Sequence, residues 1–170
     1  MRLYKEKIPS IASEIIHTLV KEQDIIVDSK EEAQLDVESV LEEYIRSRRE
    51  ITEEAKQKIK SAKLPYSNLG KIMHRIAEKR GFSFGEDGVR YISNQVLEVF
   101  MQSNNINEVF TDDYNLRKKI EPILIANMTL DKTIDAEVRK RIKNIEEGSS
   151  SWDIEYRKME DRIKTKYGLK

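Results

Sequence analysis

The sequence predicts an all-α protein, and three observations carry that expectation. Apolar residues recur at three- and four-residue spacing through almost every segment. Helix breakers are scarce, with 6 glycines and 3 prolines in 170 residues. Charged residues make up 36% of the chain, well above the usual quarter, as long helices with wetted outer faces require.

The elements follow in order. Ile8, Ile11, Ile15, Ile16 and Leu19 form one apolar stripe, so residues 8–20 read as an amphipathic helix. QDIIVDS follows as a loop. Ser29, with Glu32 three residues on, is a capping-box pattern that opens a second helix. Its inner face is Ala33, Val37, Val40, Leu41 and Tyr44. A third helix is expected from about Thr52, because Glu53 and Glu54 suit the positive end of a helix dipole. Ile51, Ala55 and Ile59 give it a narrow stripe. Pro65 interrupts, and a fourth helix turns Leu69, Ile72, Met73, Ile76 and Ala77 inward before Gly81 ends it.

The second half repeats this order. Val89, Ile92, Val96, Leu97 and Phe100 match the first stripe at an offset of 81. REITEEAKQKIK (49–60) aligns with KTIDAEVRKRIK (132–143), pairing Ile51 with Ile134, Glu54 with Glu137 and Ile59 with Ile142. LGKIMHRIAEKRGF (69–82) aligns with YRKMEDRIKTKYGL (156–169), where Lys71, Arg75, Ile76, Lys79 and Gly81 recur as Lys158, Arg162, Ile163, Lys166 and Gly168. Three blocks in one order indicate two tandem four-helix units, residues 1–84 and 85–170, related by internal duplication. The expectation is about eight helices, with an elongated arrangement open beside one compact bundle. The junction GFSFGEDG reads as a hinge or as a tight connection, and Phe82 with Phe84 favours the latter. Pro122 falls where the second unit's second helix should run, so a kink or restart is expected there. In the closing helix, SSSWDIEYRKMEDRIKTKYG, Ser151 is placed as the cap and Gly168 as the stop. Trp152, Tyr156, Met159 and Ile163 share one face, with Trp152 and Tyr156 as its structural anchors.

Two stretches carry a family resemblance. MRLYKEKIPSIASEIIHTLV is similar to the opening of the bacterial family called domain of unknown function 507, a Met-Arg-Leu start followed by an amphipathic helix. EEGSSSWDIEYRKMEDRI resembles that family's closing pattern, carried here by Gly148, Trp152, Tyr156, Arg157 and Lys158. The region of Leu64, Pro65 and Tyr66 in the first unit lacks the tryptophan. The resemblance implies an all-helical fold with segregated charge. It implies no established activity and supplies no catalytic residues.

The charge pattern is the main functional clue. The chain carries 31 basic and 31 acidic residues, so its net charge is zero. Residues 21–54 hold 12 acids and 5 bases, whereas residues 55–90 hold 9 bases and 3 acids. The second unit repeats that polarity more weakly. Lys71, Arg75 and Lys79 line one helix face at i, i+4, i+8, and Lys158, Arg162 and Lys166 do the same. Either ridge can track phosphates, although acids are interleaved: Glu78 in one, and Glu155, Glu160 and Asp161 in the other.

Other chemistry finds little support. There is no cysteine, which removes disulfides and thiol chemistry. His17 and His74 stand near Glu14 and Glu78 but in no metal-ligand spacing, and both read as partly exposed helix residues. Glu42-Glu43, Glu53-Glu54 and Glu146-Glu147 are adjacent pairs that diverge by about 100° on a helix, so they do not converge as an acid–base dyad. No leader or membrane-spanning run is present, so the expected location is the cytoplasm, without a membrane partner. The expectation is a non-catalytic interaction protein without metal or cofactor. Its partner is a protein or, alternatively, a nucleic acid held on the basic ridges.

Overall fold

A computed structural model describes residues 1–169. Among these residues seven α-helices form: α1 (Ile8–Lys21), α2 (Lys30–Ala62), α3 (Leu69–Arg80), α4 (Gly85–Gln102), α5 (Asp113–Met128), α6 (Leu130–Arg141) and α7 (Ser150–Lys166). Two short strands, β1 (Ile25–Val27) and β2 (Ile106–Val109), pair antiparallel. Helices dominate as expected, but the number is seven rather than about eight, and QDIIVDS holds a strand.

The largest correction concerns Thr52, which starts no helix. α2 runs unbroken for 33 residues. No Gly or Pro falls between Lys30 and Ala62, and Ile51, Ala55 and Ile59 continue the buried stripe of Ala33, Val37, Leu41 and Tyr44. The Thr52 hydroxyl donates to the Arg48 carbonyl at 2.8 Å, a bond of a helix interior rather than a cap. In the second half of the chain, Thr129 separates α5 from α6.

Pro122 also departs from expectation. α5 does not restart there but continues to Met128. Leu116, Ile120, Leu124 and Met128 are all buried while Pro122 is exposed, so packing on both sides of the proline outweighs its missing N–H. The cap of α7 is Ser149, not Ser151. Ser149 is extended (ψ 156°) and its hydroxyl accepts the Trp152 N–H at 3.1 Å, which leaves Ser151 inside the first turn. At α2 the predicted cap forms, with the Ser29 hydroxyl accepting the Glu32 N–H at 3.2 Å.

α1 packs on α2 and α5, and α4 packs on α5 and α2, so four helices close a ring. Its centre is aliphatic: Ile11, Ile15, Ile16, Leu41, Ile92, Leu116, Ile120 and Leu124 are almost fully buried. The β1–β2 ribbon joins the two halves of the chain. So do polar ties across it: Lys119 to Asp24 and Glu22 at 2.5 Å each, and Asn107 Nδ2 donating to Asp28 at 2.6 Å. The GFSFGEDG junction is the tight connection. Phe82 is buried and stacked on Tyr44, with ring centroids 4.8 Å apart, and the Tyr44 hydroxyl donates to the Ser83 carbonyl at 3.1 Å.

Two further helix pairs adjoin the ring, α3 against α2 and α7 against α6. The first shares the main core. The second has its own, built of Ile134, Val138, Ile142, Ile163, Leu169 and, from the N-terminal segment, Tyr4. Leu3 lies in the main core and Tyr4 in the smaller one, and the Arg2 N–H donates to the Met128 carbonyl at 2.8 Å. The two cores therefore meet between Met128 and Leu130, not at the unit junction expected at residues 84 and 85.

Candidate functional site

The C-terminal half of α2 and the whole of α3 form a strongly basic arm. Between residues 56 and 80 stand Lys56, Lys58, Lys60, Lys63, Lys71, Arg75, Lys79 and Arg80, against the single acid Glu78. All eight cations are exposed. The chain builds them outward for a simple reason. Ile51 and Ala55 of α2 share a core with Ile76 and Ala77 of α3, with Leu69, Ile72 and Met73 packed against it, and the charged positions face water.

Some of this charge is neutralised. Lys56 pairs with Glu53 at 3.4 Å, Lys58 with Glu54 at 3.2 Å, and Arg80 with Glu54 at 2.6 Å. Hydrogen bonds from Lys58 and then Arg80 hold the Glu54 carboxyl below its ordinary pKa. The predicted ridge of Lys71, Arg75 and Lys79 makes no ion pair among the described residues. Lys60 and Lys63 are in the same position.

Beside the ridge runs an open groove of about 800 Å³. Ala62, Leu64, Ile72 and Ile76 give it an aliphatic floor, and Lys58, Arg75 and Lys79 stand on its edges. Leu64 is 42% exposed and Tyr66, at the turn into α3, is 66% exposed. Lys63 sits at that turn in the left-handed region, with φ 52°.

The family described as "Protein of unknown function (DUF507)" matches residues 1–169. The chain belongs to the DUF507 family. A search of the curated proteins finds no match to it.

The second predicted ridge differs from the first in this DUF507 chain. Lys158, Arg162 and Lys166 are exposed on α7, but Lys158 pairs with Glu155 at 3.3 Å and Lys166 with Glu137 at 3.3 Å. α3 packs on α2, whereas α7 packs on α6. Trp152 and Tyr156 lie against the small core, both half-buried, with ring centroids 4.9 Å apart. Arg139 stands over the Trp152 ring at 5.4 Å.

Two hydroxyl–carboxylate pairs hold α7 to α6. The Tyr156 hydroxyl donates to Asp135 and the Tyr167 hydroxyl to Glu137, each at 2.5 Å. Those bonds depress both carboxyl pKa values. The Tyr156 hydroxyl is pushed up by burial and then by Asp135, and the Tyr167 hydroxyl chiefly by its bond to Glu137. His17 and His74 are both exposed, and His74 meets the Phe84 ring edge-on at 5.7 Å. Of the adjacent carboxylate pairs, Glu43, Glu53, Glu54 and Glu147 are each tied to a cation. No helix is long and apolar enough to cross a membrane among the described residues.

Sequence reasoning located the first ridge but missed the groove beside it. The missed signal is KQKIKSAKLPY (56–66), in which four lysines precede an exposed Leu-Pro-Tyr turn.

Proposed function

We propose that this chain is a non-catalytic docking protein whose basic α2–α3 arm engages an anionic macromolecular partner in the cytoplasm. The observation that carries the reading is the arm's charge: eight exposed cations and one acid within residues 56–80. The acidic first half of α2, with Glu31, Glu32, Asp36, Glu38, Glu42 and Glu43, lies outside the arm and leaves this potential uncancelled at its end. The leading partner is an acidic protein, because an aliphatic groove accompanies the cations. Nucleic acid is the second reading, favoured by the unpaired row of Lys71, Arg75 and Lys79. On either reading the α7 row is the lesser contributor, since two of its three cations are already paired.

The proposal includes an internal duplication into units 1–84 and 85–170. Equivalent ties support it. Glu54 accepts from Arg80 and the aligned Glu137 accepts from the aligned Tyr167. α3 and α7 also end alike: Gly81 and Gly168 are left-handed (φ 64° and 68°) and precede a buried Phe82 and Leu169, whose N–H groups reach back to the Ala77 and Lys164 carbonyls.

The test is fluorescence anisotropy with three labelled probes: a polyglutamate peptide, a single-stranded RNA and a DNA duplex. Binding of at least one probe is expected. Its affinity should fall steeply with salt and drop at least tenfold in K71E/R75E/K79E, but much less in K158E/R162E/K166E. Absence of binding to all three probes at low salt contradicts the proposal.

A further inference from the structure

We propose that the groove between α2 and α3 receives an acidic amphipathic helix of a partner protein, with aliphatic side chains on the groove floor and carboxylates toward its cationic edges. This rests on the docking reading above and names the occupant. α3 has 12 residues, about 18 Å of helix, so the groove has the length of roughly three turns. An apolar stripe at i, i+3 or i+4, and i+7 presents three or four side chains over that length. Leu64, Ile72 and Ile76 line the groove together, half-exposed at Leu64 and Ile72 and buried at Ile76.

The floor distinguishes this occupant from nucleic acid. A phosphodiester chain gains from cations and from aromatic stacking. No aromatic side chain lines the groove, and Tyr66 stands outside it. Burying aliphatic surface favours a partner with aliphatic side chains of its own. The edges supply the sign of the charge. Lys58 faces an already paired Glu54, whereas Arg75 and Lys79 have no carboxylate partner among the described residues. Glu78 also lines the groove, outside any ion pair among the described residues, and asks for one basic residue or a polar one at that point. A second copy of this chain fits less well. Its acidic helix segment already buries Ala33, Val37, Leu41 and Tyr44, and it shows water one large aliphatic residue, Leu35.

The experiment is selection of a display library of random 16-residue peptides on the full chain, followed by affinity measurement on the enriched peptides. Enriched sequences are expected to be net acidic with apolar residues at i, i+3 or i+4, and i+7. Their affinity should fall at least tenfold in R75E/K79E and separately in Leu64→Ser, a surface change that leaves the circular dichroism spectrum in place. Ile72→Glu should abolish binding, and Leu64→Ser decides the matter if that variant fails to fold. Acidic peptides without an apolar stripe, apolar peptides without acids, binding that survives Leu64→Ser, or no enrichment each overturn the helix proposal. Acidic peptides bound by charge alone leave the docking reading standing. Concentration-dependent self-association lost in Leu35→Glu replaces the partner helix with a second copy. If the polyglutamate, RNA and DNA probes also fail to bind, the docking reading itself falls.

Discussion

At the scale of the residue, Gly88 shows how closely α4 approaches α2. A Cβ there would lie 2.5 Å from the Tyr44 hydroxyl oxygen and 3.1 Å from the Ser83 carbonyl. In an open helix Gly→Ala stabilises by roughly 1 kcal/mol. Here Gly88→Ala displaces the Tyr44 hydroxyl from Ser83, so we expect a loss of about 1–3 kcal/mol in urea unfolding. In a Tyr44→Phe background the added cost should shrink by about half or more; an unchanged cost places the clash elsewhere. Two other residues carry strain that glycine removes. Gln23 and Lys63 end their helices in left-handed backbone, with φ 61° and 52°. Replacing either by glycine should stabilise the fold by roughly 0.5–1 kcal/mol, measured the same way, and a loss of stability argues against that geometry.

Among the elements, α6 and α7 share two tyrosine–carboxylate contacts whose groups have shifted pKa values. Asp135 and Glu137 have lowered folded pKa values, each chiefly through a tyrosine hydroxyl. Their contribution is complete above the ordinary carboxyl range and fades as pH falls below about 4.5 toward the folded values. Tyr156 and Tyr167 have raised folded pKa values, so the same contacts are complete below about pH 10 and fade as pH rises through the folded values. Absorbance at 295 nm should show tyrosinate forming later in the folded chain than in urea, and coincident titration curves contradict these bonds. Trp152, the sole tryptophan, reports on this pair. Half-buried against the small core, its replacement by Ala should cost about 2 kcal/mol, less than a fully buried tryptophan.

Much of this element structure is legible in the sequence. The stripes of α1, α2, α3 and α4 are written in Ile, Val and Leu spacing, and Ser29 and Gly81 mark ends by their own chemistry. The errors share one cause. Thr52 and Pro122 are local signals, overruled by burial of Ile51 and Ala55 in one case and of Ile120 and Leu124 in the other. The β ribbon was hidden because it pairs residues about 80 positions apart, and Ile25–Val27 alone is too short to signal a strand. At the candidate site the cations of α3 could be read from i, i+4 spacing. The groove could not, since it arises only where α3 folds back on α2.

For the whole molecule, the arrangement of cores predicts how it comes apart. Leu3 and Tyr4 are adjacent residues in different cores, so the N-terminal segment fastens α6 and α7 to the ring. Tyr4→Ala should weaken that fastening, and Trp152 fluorescence should then change at lower denaturant than far-ultraviolet circular dichroism. Coincident transitions mean that α6 and α7 are held by other contacts. The same arrangement places the basic α2–α3 arm on the main core, where a rigid base supports its charge. This arm is the proposed docking surface. Its most direct measurement is the salt-dependent affinity of an anionic probe for the wild type and for K71E/R75E/K79E, with K158E/R162E/K166E as the matched change on α7. The α3 variant should lose at least tenfold in affinity and show a shallower salt dependence, with little change for the α7 variant. Equal loss in both variants, or none in either, contradicts it.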